Sequence, residues 1–239
     1  DRVYPQKADF TFYGGIYRDV DLIVVSKEHF DLDHFGGPGL KVTPTVEGKD
    51  GSVHVECWAN VENPDVTVTL TDADGKTVAS GKGADVTLTI PKVHLWDGVE
   101  DPYLYTATLQ LNKDGQAVDE ISCRFGVRSF RVDPKEGFFL NGRKYPLHGV
   151  SRHQDRKGIG NALTKEMHKE DMDLIREIGA NTIRLAHYQH DQYFYDLCDE
   201  YGMIVWAEIP YISEHMPNGR ENTISQMKEL IVQNYNHPS

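Results

Sequence analysis

Residues 181–210 read NTIRLAHYQHDQYFYDLCDEYGMIVWAEIP, and the grammar is strand, helix, strand. NTIRLAHY and MIVWAEIP are short apolar runs with β-branched and aromatic residues, and DQYFYDLCDEYG between them reads as a helix. Upstream, TKEMHKEDMDLIREIGA (164–180) carries Met167, Met172, Ile175 and Ile178 at helical spacing, with Thr164 as N-cap and Gly179 as stop. KYPLHGV (144–150) reads as a strand before it, and ENTISQMKELIVQNY (221–235) as a third helix. Strand and helix alternating through short connectors is the pattern of a parallel sheet with crossover helices. A doubly wound sheet usually follows its first strand with a glycine-rich phosphate loop, and none stands here. The stretch therefore predicts the first part of a (β/α)8 TIM barrel, with three of its eight units.

Before residue 145 the punctuation is all-β. GKDGS (48–52), DADGK (72–76), NKDGQ (112–116) and LNGRK (140–144) carry the Asp-Gly and Asn-Gly pairs of tight hairpins. Between them alternate VHVECWANV (53–61), VTVTLTD (66–72), DVTLTIP (85–91), LYTATLQL (104–111) and ISCRFGVRSFRV (121–132). Some seven strands over about 110 residues predict an immunoglobulin-like β-sandwich. The domain expectation is thus multidomain β plus α/β, with a sandwich over 21–133 and the N-terminal part of the barrel over 134–239. Residues 1–20, with FTFYGGIYRDV (10–20), read as the last strand of a preceding domain. Both ends read as cut: the start, DRVYPQKADF, has no initiator Met or leader, and the end, IVQNYNHPS (231–239), stops inside a connector.

The formal charge is −12, with 25 Lys and Arg scattered against 37 Asp and Glu. Nucleic acid and anionic membranes demand a basic face, so neither is an expected partner. No apolar run approaches the roughly 20 residues of a membrane helix. Three Cys form no CxxC and no zinc spacing. The alternation points Cys57 and Cys123 into the sandwich core, where they are expected as free buried thiols, consistent with a cytoplasmic location.

Function in barrels collects at the carboxyl ends of strands. Here those ends carry HGVSRHQDR, RLAHYQH and AEIPYISEH, so His148, Arg152, His153, Arg184, His187, His190, Glu208, Glu214 and His215 are candidates for one rim. Seven of the eleven His follow residue 145, which is more than surface decoration would supply. Arg184 is also a candidate ion-pair partner of Glu208 across neighbouring strands, while His168 and His190 read as solvated helix residues. A metal-dependent hydrolase is disfavoured, because HYQH leaves a strand instead of lying on one helix face. A glycosidase needs two carboxylates flanking the scissile bond, and Glu208 and Glu214 are too close in sequence to do so.

At FFLNGRKYPLHGVSRHQDR (138–156) and GANTIRLAHYQHDQYFYDLCDEYGMIVWAEIP (179–210) the chain resembles the family 2 glycoside hydrolases. Asn181, Arg184, His187, Tyr188, Asp199, Tyr201 and Gly202 stand in the places of the family's first signature, while Leu185 and Gln189 depart from it. GGIYRDV (14–20) is similar to the end of the family's jelly-roll sugar-binding domain, and LWDGVEDPYLYTATLQL (95–111) to its immunoglobulin-like domain. GVSRHQ resembles the β-galactosidases most, because β-glucuronidases of the family tend to carry Lys at the position of Arg152.

The resemblance implies a retaining β-galactosidase that cleaves terminal β-D-galactosyl residues by double displacement. It implies that His153 and His187 contact the sugar hydroxyls and that Arg184 orients acidic residues, and Glu208 is counted with them in the substrate-binding set. Asp9 is implied to reach the sugar near a Na+ ion, and Glu214 and His215 are candidate Mg2+ ligands. The acid/base and nucleophilic Glu are expected after Ser239, which leaves this chain inactive alone. The whole protein is expected as a homo-oligomer, and the isolated chain as self-associating or disordered past about residue 210. Two alternatives stay open: a non-catalytic carbohydrate-binding module, and another family 2 activity such as β-glucuronidase.

Overall fold

The computed structural model describes residue 8, residues 10–212 and residues 214–239. The described chain forms two compact units. One holds residues 23–146 and 232–238, and the other holds the described residues up to 22 with 147–231 and 239.

The first unit is built on β1 (Leu40–Glu47), β2 (Asp50–Cys57), β3 (Asp65–Thr71), β4 (Thr77–Lys82), β5 (Asp85–Ile90), β6 (Tyr105–Lys113) and β7 (Gln116–Phe125). Two antiparallel sheets, ordered β1-β2-β5 and β4-β3-β6-β7, form the expected sandwich. Period-two alternation sends Leu40, Val42, Val53, Val55, Leu88 and Ile90 from one sheet against Val66, Val68, Leu70, Ala107, Leu109 and Leu111 from the other. Burying such side chains stabilises by about 1.5–3 kcal/mol each, so this core is the main source of the unit's stability. β1 carries Pro44, which a sheet tolerates because β1 is an edge strand paired only with β2. Cys57, Cys123 and Cys198 are all free, and burial pushes the Cys57 thiol up to about 11, which keeps it unreactive.

A small antiparallel sheet follows, made of β8 (Phe130–Asp133), β9 (Gly137–Leu140) and β10 (Arg143–Lys144). Its Asn141-Gly142 turn has φ of +50° and +80° at the two central residues, the twist that tight hairpins require.

The second unit alternates β11 (Gly149–Arg152), α1 (Lys165–Glu177), β12 (Thr182–Leu185), α2 (Gln192–Tyr201), β13 (Ile204–Ala207) and the part of α3 (Arg220–Asn234) up to Ile231. The three strands are parallel and in sequence order, with Ser151 opposite Arg184 and Arg184 opposite Trp206. This is the opening of the predicted barrel. Ile183 and Leu185 turn to the helices and join Met172, Phe194, Leu197, Cys198 and Met203 in one core. The alternate residues Ser151, Arg184 and Trp206 face the other way and are exposed, Trp206 by 68%. Among the described residues the helices cover one face of this sheet.

Three expectations need correction. The strand read in KYPLHGV begins only at Gly149; Pro146 has no N–H to give a ladder, and the His148 carbonyl instead accepts from Asn181 and Thr182 N–H at 2.8 and 3.2 Å. Residues 11–28, read as a strand at their start, form no strand or helix, because a strand exists only with a ladder partner. In α1 the buried face is His168 and Met172, whereas Ile178 falls at the C-cap and is exposed. Thr164 caps that helix as expected, accepting from Met167 N–H at 3.4 Å.

Candidate functional site

The carboxyl ends of β11, β12 and β13 lie side by side, and the next residues out of each strand carry polar side chains. β12 delivers Arg184 and His187, and β13 delivers Glu208. Arg184 and Glu208 share the open face of the sheet by the period-two rule. Arg184 Nε–H donates to Glu208 Oε1 at 2.5 Å and Nη2–H to Oε2 at 3.1 Å, a bidentate pair across neighbouring strands. His187 Nδ1 lies 2.9 Å from Glu208 Oε2 and 3.0 Å from Arg184 Nη2. That nitrogen can donate to the carboxylate or accept from the guanidinium, and a single tautomer does one of the two.

Burial pushes the Glu208 carboxyl up, but the hydrogen bonds from Arg184 and His187 and their charges outweigh it and hold the group below its ordinary value. The carboxylate in turn raises the Arg184 guanidinium. Glu208 is therefore an anion at neutral pH, fit to bind or orient and unfit to give a proton.

His153 follows β11 and joins the same cluster: its ring centre is 5.2 Å from that of His187, and its Nδ1 is 3.4 Å from the Tyr188 hydroxyl. The Phe10 ring packs on both histidines, with centres 4.8 Å from His153 and 5.5 Å from His187. An aromatic face beside imidazoles and a charged pair suits the mixed apolar and hydroxyl surface of a sugar ring. Phe10 was not a candidate from the sequence. Its only signal was its place beside Asp9, which itself lies outside the described residues.

The His187–Tyr188–Gln189 loop is tied down on one side by Arg18, whose Nη2–H donates to the Gln189 carbonyl at 2.8 Å. The Ala186–His187 peptide is cis.

His168 and His190, expected in solvent, are 2% and 1% exposed. Both turn toward Arg152, itself 5% exposed, and burial with the Arg152 charge pushes His168 to about 4 and His190 to about 3. The misreading has a physical cause: Arg152 shares its side of β11 with Val150, opposite Ile183 and Leu185 of β12, and so points into the helix layer. The polar residues it meets are drawn into the interior to pair with it. Arg152 is not on the rim. His148 uses its backbone to hold Asn181, whose side-chain oxygen accepts from His148 N–H at 2.7 Å.

Glu214 and His215 lie on the loop after β13, both exposed. His215 Nδ1 lies 2.6 Å from the Tyr211 hydroxyl, which also accepts from Met216 N–H. Among the described residues no group of three metal-ligating atoms includes Glu214 or His215. Mg2+ asks for near-octahedral oxygen coordination, and one carboxylate beside an imidazole held by a tyrosine does not fit it.

Comparison with known proteins places these features in a family. The model described as glycosyl hydrolases family 2 matches residues 38–128, and that described as the TIM barrel domain of glycosyl hydrolases family 2 matches residues 131–239. A β-glucuronidase of Bacteroides fragilis is 40% identical over 99% of this chain, which spans 38% of that protein. The crystal structure of an FMN-binding β-glucuronidase from Facaelibacterium prausnitzii L2-6 superposes with a TM-score of 0.94 at 46% identity, covering 99% of this chain and 38% of that one. That of a putative β-galactosidase from Bacteroides fragilis gives 0.84 at 36% identity, covering 90% and 34%. The chain thus spans well under half of the relatives it matches.

Proposed function

The chain consists of glycosyl hydrolase family 2 domains, the sandwich followed by the start of the TIM barrel, and from that premise we propose that it is the sugar-holding part of a retaining β-glucuronidase. The observation that carries the reading is the Arg184–Glu208–His187 cluster with His153, at the carboxyl ends of three neighbouring barrel strands.

The choice of sugar moves from the galactoside favoured by the sequence to a glucuronide for two reasons. The galactoside preference rested on Arg152, which is buried toward α1 and α2, on the side of the sheet opposite Arg184 and Glu208. Relatives at 40% and 46% identity are β-glucuronidases.

Retention requires two carboxyl groups about 5–5.5 Å apart, one attacking the anomeric carbon and one protonating the leaving oxygen. Among the described residues Glu208 is the one carboxylate paired with Arg184 and His187, and it is held as an anion by them. Its role is to fix Arg184 and His187 beneath the sugar. We place the acid/base and the nucleophile C-terminal to Ser239, in sequence that extends the barrel, so the chain alone does not turn over. A Mg2+ ion would need ligands beyond Glu214 and His215. Self-association of the isolated chain is expected through the open face of β11–β13, where Trp206 is exposed.

Release of nitrophenol from a β-D-glucuronide and a β-D-galactoside, by this chain and by a version extended through the barrel, tests the reading. Turnover of the glucuronide by the extended protein alone supports it. Faster galactoside turnover returns the specificity to galactose, and turnover by the short chain moves the chemistry to Glu208.

A further inference from the structure

We propose that Arg152 is a positioning residue for His187, acting through a neutral His190 that clasps the peptide from which His187 projects. The inference takes from the preceding section only the view that His187 faces the sugar; the geometry itself is independent of which sugar is cleaved.

The Arg152 side chain enters the space between β11 and the two helices and uses four of its five N–H donors there. Nε–H and Nη2–H donate to Asp171 Oδ2 at 3.1 and 2.7 Å, Nη1–H to His190 Nδ1 at 3.2 Å, and Nη2–H to His168 Nδ1 at 3.0 Å. The guanidinium carbon stands 3.9 Å from the centre of the Phe194 ring, which fixes its plane. A guanidinium has no acceptor. Both histidines must therefore accept at Nδ1, so each is neutral and carries its one proton on Nε2.

For His190 that proton has a defined destination. Nε2–H donates to the Ala186 carbonyl at 2.8 Å. On the other side of the same residue, Ala186 N–H donates to the Arg152 carbonyl at 3.1 Å. Ala186, fully buried, is held from its N–H by the Arg152 backbone and from its carbonyl by the Arg152 side chain through His190. The next residue is His187, which meets Arg184 and Glu208. Arg152 thus reaches the site without touching it.

The arrangement works only while both rings stay uncharged. His190 faces Arg152, Arg18 and His153, with Tyr188 stacked on it at 5.1 Å, and His168 faces Arg152, Arg18, Asp171 and Asp191. A proton on Nδ1 of either would aim N–H at N–H. A lysine at position 152 keeps the charge, but as a point donor it cannot span Asp171 and both imidazoles in one plane.

The test is long-range 1H–15N spectroscopy of the full 239-residue chain labelled at histidine, which needs no substrate. Expected in the unaltered chain are neutral Nε2–H forms of His168 and His190, both unchanged from pH 7.5 to pH 5. A charged ring, or an Nδ1–H tautomer, at pH 6.5 would overturn the proposal without any variant. In Arg152→Lys, His190 loses the donor that fixes its Nδ1 as an acceptor, so its ring-nitrogen signals are expected to move as the tautomer is released, and the ring nitrogens of His187 to shift with it. A His187 signal that stays in place while that of His190 changes would show that Arg152 only stabilises the fold. Failure of the glucuronide assay leaves both outcomes readable.

Discussion

Arg184 stands in β12 and Glu208 is the first residue past the adjacent parallel strand β13, and the guanidinium meets the carboxylate with two N–H donors on its two oxygens, at 2.5 and 3.1 Å. The register that pairs Leu185 with Ala207 sets this meeting, so the strand ladder itself aligns the pair. His187, at the exit of the same strand as Arg184, closes a triangle on the carboxylate.

Glu208→Gln removes the charge and one of the two acceptors. Because the Arg184 side chain is 45% exposed, water replaces the lost partner and the urea midpoint of the chain is expected to stay unchanged. Turnover by the extended protein should fall about 100-fold, the scale on which misplacing a positioning group acts. A stability loss with turnover intact would place the pair among purely structural contacts.

Stability should fall on mild acidification. His168 and His190 have folded values lowered from 6.5 to about 4 and about 3, so below pH 6.5 the unfolded chain takes protons that the folded chain refuses. Their contribution is complete above pH 6.5 and is lost as pH falls toward 4, with a slope approaching about 2.7 kcal/mol per pH unit when both count. Urea titrations between pH 7.5 and 5 measure it. A flat profile would mean that one or both rings gain a proton in the folded state.

Gly149→Ala should push β11 away from β12. A Cβ there would stand 2.3 Å from both the Thr182 carbonyl oxygen and its Cγ2, and the first of these is backbone. A loss of about 1–3 kcal/mol is expected from such overpacking. Gly179→Ala is the comparison, since it meets nothing within 4 Å and bears only the cost of its φ of +78°, about 1 kcal/mol.

Glu214→Gln should leave the calorimetric response of the chain to Mg2+ unchanged, because Glu214 and His215 gather no third ligand among the described residues. Binding that disappears in Glu214→Gln would show that the loop can rearrange into a site.

Much of this architecture was legible in the sequence. The alternation of VHVECWANV and VTVTLTD specified the sandwich faces, and Thr164 and Gly179 marked the ends of α1. The cluster of Arg184, His187 and Glu208 followed from their places after strands. What failed were judgements about facing. Arg152 has the chemistry of a rim residue and the parity of a core residue, and four residues of β11 were too few for its alternation to be read. His168 was assigned to solvent by its type, although it precedes Met172 by one helical turn and shares its face. Phe10 could not be found at all, since nothing in a linear reading brings residue 10 to residues 153 and 187.

That long reach has a kinetic consequence. Tyr13 touches Asp155 across 142 residues and Arg18 touches Gln189 across 171, with the whole of 23–146 intervening in the chain. Contacts of such separation form late, because loop closure costs entropy before any contact rewards it. A ribosome emitting this chain would release β1–β7 first, while Phe10 and Arg18 wait for β12 to emerge. The histidine pair would be roofed last, and chaperone demand should centre on that interval.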